Sequence, residues 1–262
     1  MMFPLLKKKM KNNCSNDEEK LLTARILDAA RLAEKRNCPV YTDFLSPLQQ
    51  VWAKKAAKTV SFLNFQLWGG YESAERKMGV FLPKQMENFT FPITVLALKT
   101  RGEYPAHPEI LGALTGLGVR REKIGDILAS AQPPKLICDA TIAPFLAENF
   151  IKAGRKAFRT EESELGEIPE AEHEEKTFTV PSLRLDCVAA EGFGMARTKM
   201  TDLIKKGGMS LNWEETDSPS DAVSEGDVIS LRGHGRLVVS QIGGHSKKDR
   251  IFVTVKKYTT RK

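Results

Sequence analysis

The sequence predicts an α+β protein: a helical segment leading into a small α/β sandwich domain, a linker, then a helical hairpin on a small twisted β-sheet. Three observations carry this expectation. Helical periodicity gives way to β-rich alternation near residue 60. An acidic stretch interrupts the chain after residue 160. Near the carboxyl end, four short β-rich runs follow two short helical ones. At 262 residues the chain has the length for two modest domains, each with its own core.

The expected organisation is a flexible tail over 1–20, an amino-terminal domain over 21–160 (helical over 21–60, α/β over 61–160), an acidic linker over 161–179 and a carboxyl-terminal domain over 180–262. The tail, "MMFPLLKKKMKNNCSNDEEK", places its lysines after a short apolar patch, the reverse of a secretory signal, and reads as cytoplasmic. Leu21, Leu22, Ile26, Ala29, Ala30 and Ala33 recur at helical spacing, giving a helix over about Asp17 to Lys35. In "FLSPLQQVWAKKAAK", Ser46 is an N-cap and Pro47 a first helical residue. "SFLNFQLWGGYESAERKMGVFLP" and "FPITVLALKT" supply two to three strands. "HPEILGALTGLGV" returns to helical spacing and ends in Gly116 and Gly118, suited to a left-handed cap. "KLICD" is a short buried strand, and "TIAPFLAENFIKAG" a helix finished by Gly154.

From Glu161 to Glu175 there are eight acidic residues and no Lys or Arg, which reads as a solvated linker or a charged surface helix. Beyond it, "SLRLDCVAAEGF" and "ARTKMTDLIKKGG" are two short helices. "MSLNW", "DVISLRG", "GRLVVSQIGG" and "RIFVTVKKY" are four strands.

The chain carries a net charge of +7 with a pI near 9.2, which favours a polyanionic partner. No apolar run approaches the roughly 20 residues of a membrane span, so no membrane partner is expected. Cys14, Cys38, Cys138 and Cys187 lie far apart, which suggests reduced thiols rather than a zinc site or disulfides. The four histidines have no ligand spacing, so no metal and no cofactor are expected. Trp52, Trp68 and Trp213 read as core residues before they read as partner contacts.

"GFGMARTKM", Gly192 to Met200, poses the central question: a phosphate-cradling loop, or a bend between helices that grip RNA. A dinucleotide fingerprint needs G-x-G-x-x-G directly after a strand. Here Arg197 stands where the third glycine would, and the preceding residues are helical in period. The RNA reading asks instead for cations on one exposed face of a rigid scaffold. Lys199 and Lys206, seven residues apart, share a side of the second helix; Arg197 opens it, and Arg184 converges from the first.

The stretch "SLRLDCVAAEGFGMARTKMTDLIKKGGMSLNW…SPSDAVSEGDVISLRGHGR" resembles the S-four RNA-binding domain. Arg184, Leu185, Asp186, Gly192, Arg197, Thr198, Leu203, Ile204, Gly207, Asn212, Gly226, Asp227 and Ile229 fill its signature. "GGYESAERKMGVF" and "LGALTGLGVRREKIGDIL" resemble the amino-terminal region of the YlmH-type family, over about Leu21 to Tyr258 in all. One departure is His107-Pro108-Glu109, where that family has His-Arg-Asp; no RNA contact of that arginine carries over.

The resemblance implies binding to structured ribosomal RNA. For bacterial members it also implies a role on obstructed large subunits that hold peptidyl-tRNA, in quality control of stalled translation. The RNA-binding residues expected are Arg184, Arg197, Thr198, Lys199, Lys205, Lys206, Arg232, Arg236, Lys247 and Lys248. For Arg120, Arg121 and Lys123 a solvated turn and a second RNA contact stand side by side. No catalytic residue, no small-molecule substrate and a monomeric state are expected. The alternatives are an RNA-modifying enzyme of the pseudouridine synthase or methyltransferase class, and a protein-interaction module. The former has no separate R-x-D catalytic loop here, since Arg184 to Asp186 serve the S-four signature.

Overall fold

The computed structural model describes residues 17–168 and 173–258, which form two compact units separated within 169–172. Most of the expected tail lies outside the described residues, but its end does not: helix α1 (Asp17–Arg36) starts at Asp17. Acidic Asp17, Glu18 and Glu19 in its first turn and Lys35 and Arg36 in its last complement the helix dipole. Its buried face, Ile26, Leu27, Ala30 and Ala33, shares a core with Ala53 and Ala56 of α2 (Pro47–Ala57). Ser46 and Gln49 close a capping box at the start of α2, as its sequence suggested.

The segment 21–60 is not all helical. Between the helices runs β1 (Val40–Leu45), paired antiparallel with β3 (Lys77–Pro83), which also pairs with β2 (Leu63–Trp68) in the order β1-β3-β2. The pairing of Val40 with Phe81 spans two elements, so nothing local in "VYTDFL" announces it.

The second sheet of this unit is antiparallel throughout. Its order is β5 (Ile124–Leu128), β6 (Lys135–Asp139), β4 (Ile93–Lys99) and β9 (Arg159–Glu162). Helices α3 (His107–Gly116) and α4 (Ala143–Asn149) bury Ile110, Leu114 and Leu146 in a core with Leu96, Leu98 and Phe150. Gly118 takes the left-handed position after α3, at φ +79. Helix α4 is shorter than expected, because Gly154 does not cap it. Instead Gly154 (φ +60) turns the hairpin of β7 (Lys152–Ala153) and β8 (Lys156–Ala157).

Asp126 of β5 ties the two sheets of this unit together. Its carboxylate accepts the Tyr71 hydroxyl at 2.7 Å, the Glu75 amide at 2.7 Å and the Arg76 amide at 3.0 Å. The Arg76 side chain donates to the carbonyls of Ile124 at 2.9 Å and Phe44 at 3.1 Å. Burial draws this guanidinium down to about 10.

The acidic segment is linker only in its middle. Strand β9 reaches Glu162, and β10 (Glu174–Val180) begins at Glu174. Charge complementarity explains both intrusions. Glu161 accepts Lys99 from the neighbouring strand at 2.7 Å, while Glu174 and Glu175 stand opposite Lys257 and Lys256 of β15 (Ile251–Tyr258).

In the second unit α5 (Leu185–Phe193) and α6 (Arg197–Lys205) lie on a six-stranded antiparallel sheet. Its order is β10, β15, β14 (Gly235–His245), β13 (Val228–Leu231), β11 (Met209–Leu211) and β12 (Glu214–Thr216), two strands more than expected. Strand β12 reads as "EET", with no β signal of its own. It is folded back by Asn212 and Trp213, both at positive φ (51 and 65), as a tight hairpin requires. The Asn212 amide donates to Asp227 at 2.8 Å and its carbonyl oxygen accepts the Val228 amide at 3.0 Å, locking that hairpin to β13.

The two glycines of "GFGMARTKM" have separate duties. Gly194, at φ +70, is the left-handed C-cap of α5. Gly192 lies within the helix, where an added Cβ would stand 2.4 Å from Leu237 Cδ1 in the core. Gly192→Ala is therefore expected to destabilise this unit by about 1–3 kcal/mol through overpacking. A urea midpoint equal to that of the unsubstituted chain would contradict the contact.

Candidate nucleic-acid interface

Asp186 sits in the first turn of α5 with its side chain only 4% exposed. It accepts Arg184 through Nε at 3.1 Å and Arg197 through Nε and Nη2 at 3.0 and 2.8 Å. Burial works to raise its carboxyl, but the hydrogen bonds from Arg184 and Arg197 outweigh it and hold the group below the usual carboxylate range. The two arginines thus converge on the first turn of α5, and a buried anion fixes both. Sequence reasoning found the convergence and missed its anchor, although Asp186 stands within the R-L-D signature.

Helix α6 turns Met200 and Ile204 into the core. That rotation leaves Thr198, Lys199, Lys205 and Lys206 exposed on the opposite side, together with the single acid Asp202. Among the described residues the ammonium groups of Lys199, Lys205 and Lys206 make no hydrogen bond or ion pair. The backbone of Arg232 is tied to the end of α6, its amide donating to the Gly208 carbonyl at 3.0 Å, and its side chain is exposed.

Lys247 and Lys248 lie elsewhere, in the turn between β14 and β15, whereas Arg236 is at the other end of β14, its guanidinium 5.0 Å from the Tyr258 ring centroid. The strand residues from Leu237 to His245 separate them by roughly 30 Å. Seven of the ten expected RNA-binding residues therefore gather around α6, and three do not. Two cations had no signal in the sequence: Lys176 and Arg250 line a cavity with Arg197, brought there by strands about 75 residues apart in the chain.

At the turn over Arg120, Arg121 and Lys123, where the sequence leaves both a solvated turn and a second RNA contact open, two of the three side chains are bonded within the fold. Arg121 donates from Nη1 to the carbonyls of Ile124 and Gly125 at 2.8 and 3.0 Å, and Lys123 bridges Asp43 and Asp139 at 2.7 and 2.8 Å. Their donors serve the fold. Arg120 alone is exposed, and it pairs with Glu122 at 2.8 Å. In the same domain Arg101, Lys152 and Arg155 are exposed, with no side-chain partner among the described residues.

Of the cysteines, Cys138 and Cys187 are buried, burial pushes the Cys138 thiol up to about 12, and Cys14 lies outside the described residues. Trp52 is a core residue, but Trp68 is 40% exposed. Among the described residues no cluster of His, Cys, Asp and Glu has the geometry of a metal site, and no helix is long and apolar enough to cross a membrane.

Two family models match the chain: "YlmH, N-terminal" over residues 18–81 and "Putative RNA-binding domain in YlmH" over residues 83–167. The "Ribosome-associated protein quality control protein P2" of Bacillus subtilis (strain 168) is 34% identical over 243 residues. That alignment spans 90% of this chain and 94% of the relative. Among solved structures, the "Cell division protein ylmH from Streptococcus pneumoniae" covers 57% of this chain and 93% of its own, at 23% identity and a TM-score of 0.49.

Proposed function

Because the chain belongs to the YlmH family, we propose that it is a non-enzymatic, cytoplasmic RNA-binding factor that holds rRNA and tRNA on obstructed large ribosomal subunits during quality control of stalled translation. The name of the Bacillus relative supports the ribosomal setting. The observation that carries the reading is the solvent face of α6. Three lysines with no partner among the described residues lie beside two arginines that Asp186 holds in place, on the unit whose sequence resembles an S-four domain. Such a surface neutralises phosphates of a folded RNA without reading its sequence. Residues 83–167 match a model described as an RNA-binding domain, and among the described residues Lys84, Arg101, Lys152 and Arg155 are exposed there with no side-chain partner.

If about five phosphates are neutralised, log affinity falls with log salt at a slope of roughly −3.5 to −4.5. Reversing Lys199, Lys205 and Lys206 to Glu together is expected to abolish co-sedimentation with large subunits and to flatten that slope by about 2–3. These three side chains make no internal bond among the described residues, so the variant should melt like the parent chain. Retained subunit binding in that variant would remove α6 from the interface.

A further inference from the structure

Beside the α5–α6 turn the second unit carries a cavity of about 520 Å³, within the range of about 300–1,000 Å³ typical of small-ligand sites. Its floor is apolar, from Cys187, Ala190 and Met195, and its rim is cationic, from Lys176, Arg197 and Arg250. Each cation is held from behind. Arg197 is fixed by Asp186, Arg250 donates from Nε to Thr179 Oγ1 at 3.0 Å and from Nη2 to the Thr179 carbonyl at 2.5 Å, and Lys176 donates to the Glu191 carbonyl at 2.5 Å. In every case donors remain for a ligand: Nη1 of each arginine and two N–H groups of the lysine.

An apolar floor under a ring of fixed cations suits a flat, apolar body carrying anionic groups, which is the chemistry of a nucleotide. Met195 offers a thioether against which an aromatic ring packs favourably. The rim also carries one acid, Glu191, whose carboxylate lies 3.8 Å from Arg250 Nη2. A carboxylate only accepts hydrogen bonds. Of the four RNA bases, guanine alone presents two adjacent donors, N1–H and the N2 amino group, on its Watson–Crick edge.

We infer that this cavity seats an unpaired guanosine of a structured RNA, its base over Met195 and facing Glu191, its phosphates on Arg197, Arg250 and Lys176. The inference rests on the RNA-binding reading above and adds to it a place where one nucleotide leaves the stack. A bulged or looped nucleotide is the source it fits, because an unpaired base has the least stacking to lose.

The test is fluorescence anisotropy of the full chain with three hairpin RNAs, one with a single bulged guanosine, one with a bulged uridine and one fully paired, with GMP as competitor. The bulged-guanosine hairpin should bind about tenfold tighter than the paired one, a difference of about 1.4 kcal/mol. Glu191→Gln, a conservative change at an exposed side chain, should erase the preference for guanosine over uridine. Ala196→Trp, which fills the cavity from its exposed lip, should erase the bulge preference and leave affinity for the paired hairpin unchanged. Equal binding of bulged and paired hairpins by the parent chain overturns the seat and leaves the α6 surface standing. Absence of binding to all three hairpins overturns the RNA-binding reading itself. A bulge preference that survives both substitutions overturns the location. GMP binding as tightly as the bulged hairpin assigns the cavity to a free nucleotide and overturns the RNA source.

Discussion

Substituting Arg184 and Arg197 together by Ala is expected to lower the urea midpoint of the carboxyl-terminal unit at neutral pH, with a loss near 3 kcal/mol. The cost belongs to Asp186. Its carboxylate is almost fully buried, and without the guanidinium hydrogen bonds it is left as an uncompensated anion, which costs about 3–5 kcal/mol where the site stays dry. Hydration through the space vacated by two half-exposed arginines places the value at the lower end. The pH dependence has a definite sign. The folded-state carboxyl lies below its ordinary value of 3.8, so its stabilising contribution is present above about pH 4 and is lost as pH falls through the folded value. Parent and variant should therefore converge in acid and differ most near neutrality. Hydrogen exchange resolved by peptide across 173–258 measures this directly; matched protection in the two proteins at neutral pH would show that Asp186 does not depend on them. The result also governs how RNA-binding data are read: loss of binding in an Arg197→Ala variant mixes a missing phosphate contact with a displaced α5–α6 turn, whereas the lysines of α6 report the contact alone.

The sequence foretold this region well because its signals are local. The periodicity of Met200, Leu203 and Ile204 and the glycine at Gly194 act within a turn or two of chain, as does the cap at Ser46 in the other unit. What escaped was set by distant partners. Strand β1 exists because β3 lies beside it, and β12 because Asn212, bonded to Asp227 and Val228 from farther along the chain, turns it back. The acidic ends of the segment 161–179 became strands because Lys99, Lys256 and Lys257 stand across from them. The same rule applies to the site. Which arginines meet at α5–α6 was legible, since a helical hairpin brings them together. That Lys176 and Arg250 join Arg197 at one cavity was not, since β10 and β15 deliver them. Counting cations also cannot distinguish one aimed at solvent from one bound within the fold, and the turn over 120–123 depends on that difference.

At that turn, Lys123→Glu is expected to destabilise the amino-terminal unit by about 2–4 kcal/mol, somewhat under the fully buried range because Lys123 and Asp43 keep partial contact with solvent. Lys123 joins Asp43 of β1 to Asp139 at the end of β6, so the change removes a bridge between the two sheets and sets three carboxylates in its place. Asp139 keeps only the Thr141 amide at 2.9 Å and hydroxyl at 2.7 Å, which cannot neutralise it. In the unsubstituted chain burial works to lower the Lys123 ammonium, yet its hydrogen bonds to Asp139 and Asp43 prevail and raise it. Its contribution is thus complete below its ordinary value of 10.5 and is lost as pH rises through the folded value. For Asp139 burial acts upward, but the bonds from Lys123 and Thr141 bring the carboxyl below 3.8, so its contribution is present above that value and is lost in acid. The bridge therefore works between about pH 4 and pH 10, and the deficit of the variant should shrink at low pH as the crowded carboxyls protonate. Arg120→Glu is the control, since that side chain is exposed and should shift stability by no more than about 0.5 kcal/mol. If Lys123→Glu left the melting temperature unchanged while weakening RNA binding, Lys123 would be a surface cation after all, and the turn would return to the interface.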